Sequence, residues 1–84
     1  MNFVYLIRSI KDRSIYIGYT QDLKKRLVEH NKNKSVYTKD KGPYEIIYFE
    51  AYKSKSDAKY RESNLKRFAQ SYYQLNKRIK NSLM

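Results

Sequence analysis

The 84 residues contain no cysteine and a single histidine, His30. No disulfide framework, zinc ribbon, iron–sulfur cluster or multi-histidine metal site can therefore staple the fold. A chain of this length buries roughly 60–65% of its unfolded surface, and here aliphatic and aromatic side chains must supply that core. The material is present: 40% of the residues are hydrophobic, including ten Tyr and three Phe. That content is too high for a disordered basic tail, and two Gly and one Pro exclude a collagen-like or low-complexity chain. No apolar run approaches the roughly 20 residues that span a bilayer. Met1-Asn2-Phe3 does not open a signal peptide. The expectation is a cytoplasmic protein with no membrane partner, folded as one domain over residues 1–84.

Periodicity divides the chain into short elements. Residues 3–9 are β-branched, aromatic and apolar and read as a strand; Lys11-Asp12-Arg13 is a polar turn, and residues 14–19 read as a second strand. The two form an antiparallel hairpin in which Tyr5 shares a face with Phe3 and Ile7, and Tyr16 shares a face with Gly18. Thr20 is placed to cap a helix running to about Asn31, with Asp22 in its first turn and Leu23, Leu27 and Val28 as its apolar stripe. Residues 32–43 are polar and basic and end in the loop signal Gly42-Pro43. Residues 44–52 read as a third strand. Ser56 is placed to cap a second helix reaching about Phe68 or Ala69, and Ser71 with Gln74 three residues on is a capping box for a third. The order β-β-α-β-α-α, with no internal repeat, gives an α+β fold.

Nineteen Lys and Arg against eight Asp and Glu give a formal net charge of +11. Such an excess repels itself unless a polyanion offsets it, so the charge favours DNA, RNA or an anionic membrane. The chain shows no lipidation signal and no helix with a bulky apolar face opposed by a purely basic one, which disfavours the membrane. Lys24, Lys25, Lys39, Lys41, Lys66 and Arg67 are candidate phosphate contacts, and no acidic residue follows Glu62. The alternative is a basic face kept for solubility.

Three places stand out chemically. Ala58, Glu62, Leu65 and Ala69 fall on one helical stripe, which puts a carboxylate where an apolar side chain belongs. Glu62 is then either a structural partner of a buried cation or a metal ligand. Asp22, Arg26 and His30 are spaced i, i+4, i+8 on one helix face. They read either as an Asp22–Arg26 surface pair beside an exposed histidine, or as a site. In a site, Arg26 would stabilise phosphate charge and His30 would move a proton or touch phosphate. Gly18, two residues after Tyr16, leaves that face bare for close approach by a backbone or ligand, or else marks a bulge.

These residues form a known pattern. Phe3-Val4-Tyr5 followed by Tyr16-Ile17-Gly18 resembles the paired signature of the GIY-YIG nuclease superfamily, with Phe3 where the name-giving Gly stands. Gly18-Tyr19-Thr20, then Leu23 and Arg26-Leu27, is similar to the stretch leading to the family's helix arginine. Glu29-His30-Asn31 resembles its histidine turn. Tyr37-Thr38 and Gly42-Pro43 are similar to the small stand-alone bacterial branch, and Ala58, Arg61-Glu62 and Leu65-Lys66-Arg67 to the helix bearing the metal-binding glutamate. The chain is also similar to the N-terminal incision module of the bacterial excision-repair nuclease.

The resemblance implies a small three-stranded mixed or antiparallel sheet flanked by helices. It also implies a DNA endonuclease that hydrolyses phosphodiesters with one divalent ion, Mg²⁺ or Mn²⁺, in repair or processing. Glu62 would hold the metal, Arg26 would stabilise the transition state, Tyr5 and Tyr16 would orient or deprotonate water, and His30 would assist proton transfer. Gln74 stands where many members carry an Asn, with Asn76 two residues on. Two rivals remain open: a non-catalytic nucleic-acid-binding module on the same fold, and an adaptor of a larger DNA-processing assembly whose protein partner supplies specificity.

Overall fold

In the computed structural model, which describes residues 1–32 and 41–84, β1 (Asn2–Ser9) is the centre of a three-stranded antiparallel sheet of order β2-β1-β3. β2 (Ile15–Thr20) and β3 (Tyr44–Tyr52) flank it. The helices are α1 (Leu23–Asn31), α2 (Lys55–Arg67) and α3 (Ala69–Arg78), so the element order is β-β-α-β-α-α. The expected α+β class and order stand, and the sheet is antiparallel throughout. No helix among the described residues is long and apolar enough to cross a membrane. Lys39, expected to touch nucleic acid, and the Tyr37-Thr38 pair lie outside the described residues.

A central strand is covered on both faces, and β1 shows it: Val4 to Ser9 are all buried. Val4 and Leu6 point to one side, where Ala58 and Leu65 of α2 and Leu75 and Ile79 in and after α3 close over them. Tyr5 and Ile7 point to the other side, against Tyr44 and the α1 stripe Leu23 and Leu27. The period of two thus makes two cores from one strand.

The pairing of β1 with β3 shifts register between Leu6 and Ile7: Leu6 faces Tyr48, but Ile7 faces Ile46. The extra residue, Ile47, joins Tyr48 on the α2–α3 side, while Ile46 and Tyr44 turn to the α1 side. A bulge reverses the inside–outside alternation beyond it. Here that reversal carries Tyr44 under α1.

Three helix starts differ from expectation. Asp22, not Thr20, caps α1: its Oδ1 accepts from Lys25 N at 3.0 Å, while Thr20 Oγ1 accepts from Asp22 N at 3.1 Å. Asp22 is therefore committed to the backbone, and Arg26 pairs with Glu29 at 3.1 Å instead. Ser54, not Ser56, caps α2 by accepting from Asp57 N. Phe68 alone separates α2 from α3, serving as cap residue for both with no side-chain cap bond, so Ser71 lies inside α3 and its capping box is not used. Ala69, placed on the α2 stripe by periodicity, is instead the exposed first residue of α3, because the break at Phe68 ends that stripe.

The Ser54→Ala variant is expected to lose about 1 kcal/mol of stability, the usual value of an N-cap side chain, and Ser71→Ala to stay within about 0.5 kcal/mol. Urea unfolding of the two variants beside the parent checks the ranking.

Candidate active site

Tyr5 on β1 and Gly18 on β2 are directly paired across the hairpin. Gly18 has ordinary extended backbone, with no positive φ. The room it leaves is what matters: a Cβ at this position would lie 2.3 Å from Tyr5 Oη and 2.4 Å from Cζ. The ring of Tyr5 therefore lies across the glycine. Its hydroxyl is 2.9 Å from Nε2 of His30, the last buried residue of α1. Tyr5 is 1% exposed and His30 0%.

Burial of both groups sets their protonation. The Tyr5 pKa is pushed up to about 12, chiefly by burial, against a hydrogen bond and charge from Arg26; the charges of Tyr16 and Glu62 push it further up. The His30 pKa is lowered to about 4 by burial and then by the Arg26 charge, with Glu29 opposing. Burial works against the charge of Arg26, yet its pKa is raised by hydrogen bonds to Tyr5 and Glu29. A guanidinium only donates, so the influence of Arg26 at Tyr5 falls on the phenol oxygen; which partner carries the proton of the Tyr5–His30 bond follows from the histidine tautomer. With its pKa near 4 the histidine is the neutral imidazole near pH 7.

The aromatic surroundings complete the nest. The Tyr16 ring is 5.2 Å from the His30 ring and 6.5 Å from Tyr5, and the Tyr44 ring is 6.0 Å from His30. Asn31 anchors the end of α1 to this tyrosine: its Oδ1 accepts from Tyr44 N at 2.6 Å, and its Nδ2 donates to Tyr44 O at 3.3 Å. Tyr44, Asn31 and Glu29 belong to the arrangement and had no sequence-derived role. The faint signals were the strand start just after Gly42-Pro43 and the residues flanking His30.

Glu62 approaches from α2. Its side chain is 13% exposed, with Lys59 Nζ 3.4 Å from Oε1 and Lys66 Nζ 2.9 Å from Oε2. Both lysines also lie over β2 tyrosines, Lys59 4.7 Å from the Tyr19 ring centroid and Lys66 5.6 Å from that of Tyr16. The structure thus gathers Tyr5, Tyr16, Gly18, Arg26 and His30 tightly, and brings Glu62 to their edge through Lys66. His30 is not the surface side chain that helical spacing also allowed, and direct contact with phosphate has no exposed atom to work from. Lys24, Lys25, Lys41 and Arg67 are exposed. Gln74 is elsewhere, in a groove beside Glu50 and Arg61.

Residues 1–80 match the family profile of the GIY-YIG catalytic domain. This chain belongs to the GIY-YIG family. It is 38% identical over 72 residues to a UPF0213 protein of Clostridium perfringens, covering 84% of this chain and 76% of that one. A UPF0213 protein of Staphylococcus epidermidis is 40% identical over 68 residues, 80% and 82% of the two chains. The solution NMR structure of a UPF0213 protein from Bacillus halodurans superposes with a TM-score of 0.54 at 35% identity, covering 89% of this chain and 82% of that one. The GIY-YIG domain is of nuclease type, and these small bacterial proteins are its relatives.

Two outcomes are expected from this geometry. Gly18→Ala forces the Tyr5 ring off His30, costing about 1–3 kcal/mol as other overpacked cores do; denaturant unfolding reads the loss, and an unchanged midpoint would contradict the close approach. The second outcome concerns pH. The folded His30 pKa lies below the unfolded value, so the unfolded chain binds the extra proton between pH 6.5 and about 4. The associated stability is full above pH 6.5 and declines toward pH 4, by about 3 kcal/mol in total. Unfolding at pH 7 and pH 5 should show this decline in the parent and a shallower one in His30→Gln.

Proposed function

We propose that this GIY-YIG domain is a DNA endonuclease that hydrolyses phosphodiester bonds with weak sequence preference and depends on one divalent ion, Mg²⁺ or Mn²⁺. The observation that carries the reading is the hydrogen-bonded Tyr5–His30 pair, with the Arg26 charge acting on it, beside Tyr16 and Glu62 in a nuclease-type domain with a net charge of +11.

The roles follow from exposure and protonation. Arg26 is about one-third exposed, at 31%, and permanently charged, so it can turn from Glu29 to a substrate phosphate and stabilise charge developing there. Tyr16 is more accessible than Tyr5 and is the tyrosine that faces an attacking water. Tyr5 is a buried phenol whose hydroxyl is already oriented, and it hands its proton toward His30. His30, with a pKa near 4, is neutral near pH 7 and serves as acceptor rather than acid. Lys24, Lys25, Lys41, Lys66 and Arg67 hold the backbone through phosphate contacts, which position DNA without reading its sequence.

Among the described residues no group of three or more His, Asp or Glu side chains is placed to hold a metal ion. Mg²⁺ often takes one or two protein carboxylates and completes its shell with water and phosphate. Glu62, a hard oxygen donor at the edge of the tyrosine pair, would be the protein ligand. The ion supplies Lewis acidity toward the phosphate when bound. Lys59 and Lys66 hold Glu62 until then and are released to the DNA. A cytoplasmic role in repair or processing, with a protein partner adding specificity, belongs to the same proposal. The occupation of both Glu62 oxygens by lysine favours one rival, a binding module that has kept the fold without the chemistry.

Nicking of labelled plasmid, single-stranded, flap and junction DNAs, with Mg²⁺ or Mn²⁺ against chelator, tests the proposal. Glu62→Ala should abolish cleavage with DNA affinity kept within about twofold, and Arg26→Ala should slow it by roughly 10²–10³-fold, as loss of a preorganised charge does. Cleavage that survives Glu62→Ala removes the metal-ligand role. Tight binding without cutting on any substrate turns the reading to the binding module.

A further inference from the structure

α2 divides the charged surface in two. Its Glu62 flank faces the β2 tyrosines through Lys59 and Lys66, while Arg61, the preceding residue, faces β3. Arg61 grips Glu50 with Nε at 3.0 Å and Nη2 at 3.1 Å from its two oxygens, and Tyr48 Oη donates to Glu50 at 2.6 Å. Tyr52 donates to the same carboxylate. This network floors a groove of about 1000 Å³ whose other wall is α3, including Gln74, Lys77 and Arg78. The groove lies on the sheet face opposite Tyr5 and His30, because Tyr48 and Glu50 pair with Leu6 and Val4.

Tyr73 stands beside this wall, on the helix face it shares with the lining residues. Gln70, Tyr73, Gln74 and Lys77 fall at i, i+3, i+4 and i+7, one face of α3, and all are exposed. Tyr73 is 57% exposed, so its ring is open to a ligand. Lys77 Nζ lies 5.6 Å from its ring centroid. The pairing is repeated at the break between helices, where Arg67 lies 5.8 Å from the ring of Phe68, itself 53% exposed. The carboxylate that lines the groove, Glu50, is neutralised by Arg61. The ion pairs among the described residues leave Lys77 and Arg78 without an acidic partner.

Exposed aromatic faces alternating with unneutralised cations suit one ligand in particular. A single strand of nucleic acid offers unstacked bases to the rings and phosphates to the cations; a duplex hides its base faces in the stack. Gln70 and Gln74 add paired donors and acceptors for base edges. We propose that the α3 face and its groove bind single-stranded nucleic acid, with a base on Tyr73 and phosphates at Lys77 and Arg78. This rests on the nucleic-acid reading above and adds a substrate class: DNA whose unpaired arm lies on α3 while its phosphodiester is cut on the opposite face.

Fluorescence anisotropy of a labelled 12-nucleotide oligo-dT and of a 12-base-pair duplex tests this. Tyr73→Ala should weaken oligo-dT binding roughly tenfold, the scale of one lost base stack, and leave duplex binding unchanged. Tyr73→Phe should restore the parent affinity. The double variant Lys77→Ala/Arg78→Ala should lower the salt slope for oligo-dT by about 1.4, two phosphate contacts' worth. Equal losses for single strand and duplex in Tyr73→Ala, or no loss for either, overturn the inference while leaving the nuclease reading intact. Tyr73-dependent oligo-dT binding by a protein that cuts nothing supports the inference and overturns the nuclease. The exposed position of Tyr73 keeps the fold out of the comparison, and matched thermal midpoints check that.

Discussion

The Tyr5 hydroxyl lies out of water in the middle of the central strand, and a buried hydroxyl left without partners costs several times what a satisfied one returns. Much of the structure is arranged to satisfy it. Gly18 leaves room for the ring, His30 shares a hydrogen bond with the hydroxyl, and the Arg26 charge lies close to the oxygen. Gly18 comes from β2 and both Arg26 and His30 from α1, so the arrangement forms only when β1, β2 and α1 are all in place. The β3 bulge belongs to the same arrangement, because it turns Tyr44 toward His30, and Asn31 then ties that strand to the end of α1. A displacement at any of these points leaves a buried polar group unpaired, which makes the site and the fold parts of one cooperative unit.

Electrostatics give the domain its second organising theme. Lysine and arginine are in large excess, yet the half-buried carboxylates Glu50 and Glu62 are both held by cations, Glu50 by a forked arginine and Glu62 by two lysines. The difference in partner is a difference in permanence. A forked Arg–carboxylate pair with two tyrosine hydroxyls is geometrically fixed, and so serves the groove as architecture. Two flexible lysines make a looser arrangement that a phosphate or a cation can rearrange. The same helix therefore presents a structural acid on its β3 side and an exchangeable one on its β2 side.

The strands and the two-sided core were readable because periodicity reports burial directly. Val4 and Leu6 against Tyr5 and Ile7 divide as the alternation says, and the third strand begins and ends at Tyr44 and Tyr52 as read. Helix starts were less legible. Thr20, Ser56 and Ser71 are all good capping residues, yet Asp22, Ser54 and Phe68 hold those places. Several hydroxyls and carboxylates near a helix start compete for the same amide groups, and the approach of the chain from the sheet decides among them. The bulge in β3 had no signal either, since Ile46, Ile47 and Tyr48 fit a strand in either phase.

What the sequence by itself determined is the α+β order, the basic surface and the residue types of the site: Tyr5, Tyr16, Gly18, Arg26, His30 and Glu62 are all visible in one dimension. Residue type and local period are properties of neighbours along the chain, so they survive without a fold. Tertiary structure alone decided that His30 is buried and neutral, that Gly18 serves the Tyr5 ring rather than a bulge, that Glu62 is held by lysines, and that Gln74 faces a separate groove. Burial, protonation and partnership depend on which distant segments meet. For Tyr5 and His30 those segments are 25 residues apart, and only the closing of α1 over the sheet brings them within a hydrogen bond.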